Sequence, residues 1–172
     1  MLIVNKENQL PKEYEPANLI NVGKVKVSNI IFKDLMKLLN ESLKDGINLV
    51  IDSGYRSYSY QEEILNEYKS KIGIKEALTK VAMPGYSEHQ TGLAIDFGYI
   101  DNIKYIEEVN EDTKESKWLY DNAYKYGFIL RYPKGKENIT GYKYEPWHYR
   151  YVGKKIAKEI HNKDITLEDY IK

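Results

Sequence analysis

Two histidines set in dense motifs more than fifty residues apart constrain this chain more than any other feature. If they share a site, the fold must bring two distant segments face to face. His89 lies in SEHQTGLAIDF (87–97) and His148 in YEPWHYRYVG (144–153), and the only other histidine is His161. Each motif also carries a carboxylate, Asp96 in the first and Glu145 in the second. Two imidazoles and one carboxylate, with a fourth position open, form a common catalytic zinc shell. A further carboxylate beside the metal is what a hydrolase uses to activate water.

The segments around these motifs read as a mixture of helices and strands. Residues 1–27 form an irregular or extended arm, broken by Pro11 and Pro16. Ile31, Leu35, Leu38 and Leu39 share one face of a helix over 29–45, with Ser28 as N-cap and Gly46 as its stop. INLVID (47–52) is a short buried strand, and 60–71 is a second helix opened by a Ser59–Glu62 capping box. A short helix over 74–80 leads to the loop MPGYSEHQTG (83–92). LAIDF (93–97) alternates, with Leu93, Ile95 and Phe97 opposite Ala94 and Asp96. A helix over 115–126 ends at Gly127, FILRY (128–132) is a strand and PKGKENITG (133–141) a connector. WHYRYV (147–152) alternates again, His148 and Arg150 opposing Trp147, Tyr149 and Tyr151. A helix near 154–161 and a last turn opened by Thr166 complete the chain. Without regular βαβ repeats, this order predicts an α+β domain with a central, mostly antiparallel sheet flanked by helices. At 172 residues, with no linker or repeat, residues 1–172 are expected to form one domain on which the arm packs.

Composition narrows the function classes. Lysine plus arginine equal aspartate plus glutamate at 26 each, so no basic surplus points to nucleic acid or an anionic membrane. The absence of cysteine excludes disulfides and thiolate zinc sites. No apolar run approaches the roughly 20 residues that span a bilayer, and the start MLIVNKENQLP lacks the apolar core of a signal peptide. Residence in the cell envelope would require a leader removed from this sequence; otherwise the cytoplasm is expected. The seventeen tyrosines are expected chiefly as packing residues.

Alone, His89 and Asp96, seven residues apart, are more often unrelated than co-ligands. The second motif changes the weighing. Glu145 and His148 are three residues apart with Pro146 fixing the backbone between them, which suits a base close to a ligand. His161, in a lysine-rich helix, reads as a solvated surface residue. A third motif, SGYRSYSYQ (53–61), places Arg56 between a strand and a helix, where loops commonly carry function. A guanidinium there can grip a carboxylate with two donors, as an enzyme trimming chain ends requires.

The three motifs, in this order, resemble the zinc D-alanyl-D-alanine carboxypeptidases of the VanY type and the L,D-carboxypeptidases close to them. SxHxxGxAxD is met by Ser87, His89, Gly92, Ala94 and Asp96; ExWH by Glu145, Trp147 and His148; and SGYRS with its following glutamine by Ser53 to Ser57 and Gln61. The resemblance implies the α+β fold shared with the amino-terminal domain of Hedgehog proteins and one zinc ion per chain. It implies His89, Asp96 and His148 as ligands and Glu145 as catalytic base. Arg56 and Ser87 would hold the terminal carboxylate, Gln61 would lie close to the substrate or its carbonyl, and Trp147 would line the pocket. The expected partner is a peptidoglycan stem peptide or its precursor, ending in D-Ala-D-Ala, bound by a monomer. Two rivals are an L,D-carboxypeptidase acting on tetrapeptide stems and a non-catalytic zinc domain that binds cell-wall peptides. Glu145 argues against the second, since a binding domain has no need of a base beside the metal.

Overall fold

The computed structural model describes residues 2–99 and 112–172. The arm contains a hairpin that the sequence reading left as extended chain: β1 (Leu19–Val22) pairs antiparallel with β2 (Val25–Ser28). Gly23, at φ +60°, provides the left-handed backbone of its two-residue turn. Ser28 caps α1 (Asn29–Lys44) through its hydroxyl, and Ile31, Leu35 and Leu38 are fully buried along one face. After β3 (Leu49–Ser53), α2 (Tyr58–Ile72) begins earlier than expected. Its N-cap is Ser57, whose hydroxyl accepts from the Tyr60 amide at 3.1 Å, while Ser59 lies inside the first turn. The capping-box reading on Ser59 is therefore corrected by two residues. The helix α3 (Ile74–Lys80) follows Gly73.

A single 3₁₀ turn, Glu88–Thr91, runs into β4 (Ala94–Tyr99). Next come α4 (Lys114–Asn122), which tightens into a 3₁₀ turn at Ala123–Tyr126, and β5 (Phe128–Leu130). The connector holds one helical turn, α5 (Glu137–Thr140), and precedes β6 (His148–Tyr151). The chain closes with α6 (Lys154–Lys163) and α7 (Leu167–Ile171), the latter opened by a capping box between Thr166 and Asp169.

The main sheet has the order β3-β4-β6-β5 and is antiparallel throughout. Side-chain alternation divides its labour. Ile95, Phe97 and Tyr149 point into a core with α1 and α4, where Leu35, Leu38, Trp118 and Leu119 meet them. Ala94, Asp96, His148 and Arg150 occupy the other face, with Ala94 paired to Arg150 and Asp96 to His148. A smaller core gathers Ile129, Ala157, Ile160 and Leu167 under α6 and α7. The arm is fastened at Leu10, whose amide donates to the Gly85 carbonyl at 2.8 Å, and by buried Val4. Among the described residues no helix is long and apolar enough to cross a membrane. His161 is half-buried and stacks on Tyr124 at 3.9 Å between ring centroids, so the expectation of a merely solvated side chain is corrected.

Candidate active site

The polar face of the sheet opens into a cavity of about 960 Å³. His89, Asp96, Glu145 and His148 all line it, as do Arg56, Gln61, Ser87 and Trp147. Local backbone chemistry sets each one. His89 lies in the 3₁₀ turn, which ends at Gly92 in the left-handed conformation (φ +66°). The Gly92 carbonyl then accepts from the Ser28 amide at 2.9 Å, a close approach that a glycine permits. Asp96 is held in the middle of β4. Glu145 and His148 flank a tight turn in which the His148 amide donates to the Glu145 carbonyl at 3.1 Å, with Pro146 at the position that favours its fixed φ. The turn folds Glu145 back beside the first residue of β6. It also takes Trp147 out of the strand alternation, so this residue lines the cavity and does not join Tyr149 in the core.

One ligand atom from each of His89, Asp96 and His148 falls within 4.8 Å of the others, and all three residues are buried. His89 Nδ1 lies 2.6 Å from the Gly54 carbonyl oxygen. A carbonyl can only accept, so Nδ1 carries the hydrogen and Nε2 presents its lone pair. That Nε2 is 3.1 Å from Asp96 Oδ2, yet it has no hydrogen-bond partner. A buried lone pair facing a carboxylate oxygen lacks a positive centre between them, and a divalent cation supplies it. On the other side, His148 Nδ1 lies 2.9 Å from Asp96 Oδ1. The donor set of two imidazoles and one carboxylate suits zinc.

The electrostatics of this cluster are strongly perturbed. Burial lowers the His89 pKa to about 4, with the Arg56 charge adding to it. Burial would raise Asp96, but the two imidazoles hold it well below the usual carboxylate range. His148 rises to about 9 because its hydrogen bonds to Asp96 and Glu88 outweigh burial. Burial pushes Glu145 up to about 7, opposed by His148 and reinforced by Asp96; its Oε2 lies 3.8 Å from His148 Nδ1.

Arg56 stands at the cavity wall. One terminal nitrogen donates to Gln61 Oε1 at 3.2 Å and the other to Asp96 Oδ2 at 3.3 Å, while its buried Nε has no partner. Gln61 also donates from Nε2 to the Ala82 carbonyl at 2.9 Å, so its amide is engaged at both ends. Gly54 explains why the SGYR loop sits so close: a Cβ there would collide with the Lys26 carbonyl, to which the Tyr55 amide donates at 2.7 Å.

Sequence reading did not single out Glu88, Arg131 and Arg150, three buried charged residues behind His148. Glu88 accepts from Arg131 Nε and from Arg150 Nη1, each at 2.8 Å. The available signal was the placement of Arg150 on the same strand face as His148, and of Arg131 at the end of an apolar strand.

Residues 24–154 match the family model VanY, described as D-alanyl-D-alanine carboxypeptidase. The chain is 37% identical over 182 residues to a D-alanyl-D-alanine carboxypeptidase of Enterococcus faecalis, covering 99% of this chain and 65% of that protein. The solved structure of the LD-carboxypeptidase LdcB is 45% identical, with a TM-score of 0.89 over 98% of this chain and 83% of that one. A mutant of a vancomycin-resistance D,D-pentapeptidase VanY in complex with Zn(II) is 36% identical, with a TM-score of 0.86 over 99% of this chain and 98% of that one. The chain spans about two thirds or less of the length of the curated relatives it matches first, at 66%, 65% and 57%.

Proposed function

The chain belongs to the VanY family of D-alanyl-D-alanine carboxypeptidases, and on that premise we propose that it is a zinc-dependent carboxypeptidase. Its substrate would be a peptidoglycan stem peptide or precursor ending in D-Ala-D-Ala, from which it removes the last residue. The observation that carries this reading is the convergence of His89, Asp96 and His148 in one cavity with Glu145 beside them. We take residues 1–172 as a single domain on which the arm packs, a reading supported by buried Val4 and Leu10 in the arm, and take it to act as a monomer.

In this assignment His89, Asp96 and His148 would hold one zinc ion. When bound, zinc lowers the pKa of water and polarises a carbonyl. Glu145 takes a proton from the attacking water and passes it to the leaving amine, which needs only the reach that its place next to His148 provides. Arg56 and Ser87 receive the terminal carboxylate; the free Nε of Arg56 and the buried position of Ser87 at the cavity wall support that role. Gln61 holds the Arg56 fork in place through the hydrogen bond between them. Trp147 forms an apolar wall for the substrate side chain. Fixing one end of the peptide directs attack to the last bond, an orientation effect worth several kcal/mol of barrier.

A second reading, cleavage of tetrapeptide stems ending in a single D-Ala, is favoured by the 45% identity to an LD-carboxypeptidase. Rates on pentapeptide and tetrapeptide stems, measured side by side, separate the two. Preference for the pentapeptide supports the D,D assignment and preference for the tetrapeptide supports the L,D one.

A further inference from the structure

Behind His148, on the side away from Asp96, lies a network of buried charges that the mechanism above does not use. Glu88 has no exposed side-chain surface. Its Oε1 accepts from both Arg131 and Arg150, and its Oε2 lies 3.4 Å from His148 Nε2. Arg131 also grips Glu168 with its two terminal nitrogens, at 2.8 and 2.6 Å, and Glu168 accepts from Asn5 at 3.1 Å. Arg150 reaches the Leu2 carbonyl at 2.6 Å. The two arginines are the largest fully buried side chains among the described residues. Burying such a cluster costs several kcal/mol of desolvation per ion, and apolar residues of similar volume often stabilise a core as well or better. Stability alone therefore does not explain it.

The geometry points to a different role. The His148 ring is covered on one face by Tyr132, with centroids 4.9 Å apart, and meets His89 edge-on at 5.0 Å. Both ring nitrogens face carboxylates; with a metal beside Asp96 the ring can keep only one hydrogen, and its remaining freedom is which nitrogen carries it. A carboxylate neutralised by two arginines has no proton to donate and can only accept, so the nitrogen facing it must be N–H. We propose that Glu88, held by Arg131 and Arg150, is a positioning residue that fixes His148 as the Nε2–H tautomer and so presents the Nδ1 lone pair to the metal beside Asp96. The Gly54 carbonyl does the same for His89 from the opposite nitrogen. The two imidazoles thus use different ring nitrogens, each set by the acceptor behind it.

This inference rests on the zinc reading above, and the experiment separates their failures. The 172-residue protein labelled with ¹⁵N-histidine is loaded with zinc, and the His148 imidazole signals are read by NMR. The expected result is a protonated Nε2 and a metal-bound Nδ1; a metal-bound Nε2 would overturn the proposal. In parallel, the zinc dissociation constant is measured by chelator competition for wild-type protein and Glu88→Gln. Loss of such an outer partner typically weakens metal affinity about 10- to 100-fold, and that weakening is expected here. A folded Glu88→Gln with unchanged zinc affinity would overturn the proposal even if its melting temperature fell. If Glu88→Gln does not fold, the wild-type spectrum decides. Folded wild-type protein that binds no zinc would overturn the metal assignment itself, an outcome distinct from zinc bound through the other nitrogen.

Discussion

Asp96 and His148 stand directly opposite each other on antiparallel strands β4 and β6. Their side chains meet at 2.9 Å, between Asp96 Oδ1 and His148 Nδ1. That register joins two motifs distant in sequence. A slip of one residue would turn either side chain to the opposite face of the sheet. Ile95 paired with Tyr149 prevents it, because both are buried in the core on the other face.

Glu145, folded back beside His148, is predicted to be essential for turnover and dispensable for metal binding. Glu145→Ala should retain zinc, measured by metal analysis, while its rate falls about a hundred- to ten-thousand-fold, the range for general-base catalysis. A variant keeping more than about a tenth of the wild-type rate would remove Glu145 from the base role.

Arg56 is predicted to read the free carboxylate of the substrate. Arg56→Lys keeps the charge but loses the planar fork. Its kcat/KM on the free-acid peptide should fall at least about tenfold, the equivalent of one lost charge-assisted hydrogen bond. Its kcat/KM on the C-terminal amide should change little. Equal losses on both peptides would show that Arg56 does not contact that end.

Zinc is predicted to stabilise the fold through the same three ligands. At free zinc about 100 times the dissociation constant, linkage adds about 2.7 kcal/mol, read as a rise in melting temperature. His148→Ala and Asp96→Asn should abolish that rise. A zinc-dependent rise that survives both substitutions would place the metal elsewhere.

Arg131 is predicted to be a costly residue to remove, since its loss takes from buried Glu168 the guanidinium that grips it and leaves Glu88 with Arg150 as its remaining arginine. Arg131→Ala should destabilise the metal-free protein by about 3–5 kcal/mol in denaturant unfolding, as for other broken buried ion pairs. A loss below about 1 kcal/mol, typical of exposed pairs, would mean that the network is not closed in solution.

Much of this architecture was readable in the sequence, for identifiable reasons. The helix α1 announced itself through Ser28, the spacing of Ile31, Leu35 and Leu38, and Gly46. Alternation in LAIDF and HYRY told which residues share a face, and the ligand candidates fell on the polar one. Other features depended on tertiary contacts that no local pattern encodes. The β1–β2 hairpin was obscured by its place in a proline-bearing arm, although INVGKVKV alternates around a turn glycine. Ser59, with Glu62 three residues on, fits the local capping-box pattern, whereas Ser57 has Tyr60 at that position, so the pattern pointed two residues past the cap that the folded chain uses. The Glu88–Arg131–Arg150 cluster draws on three separate segments, so no local pattern shows that these charges meet in the interior.

The most direct measurement is the mass change of a stem pentapeptide ending in D-Ala-D-Ala, incubated with the zinc-loaded protein and, in parallel, with protein stripped by a chelator. The predicted result is one zinc per chain and loss of a single C-terminal alanine in the loaded sample, with no loss in the stripped one. A pentapeptide that survives intact while zinc is bound at one per chain would contradict the D,D-carboxypeptidase assignment.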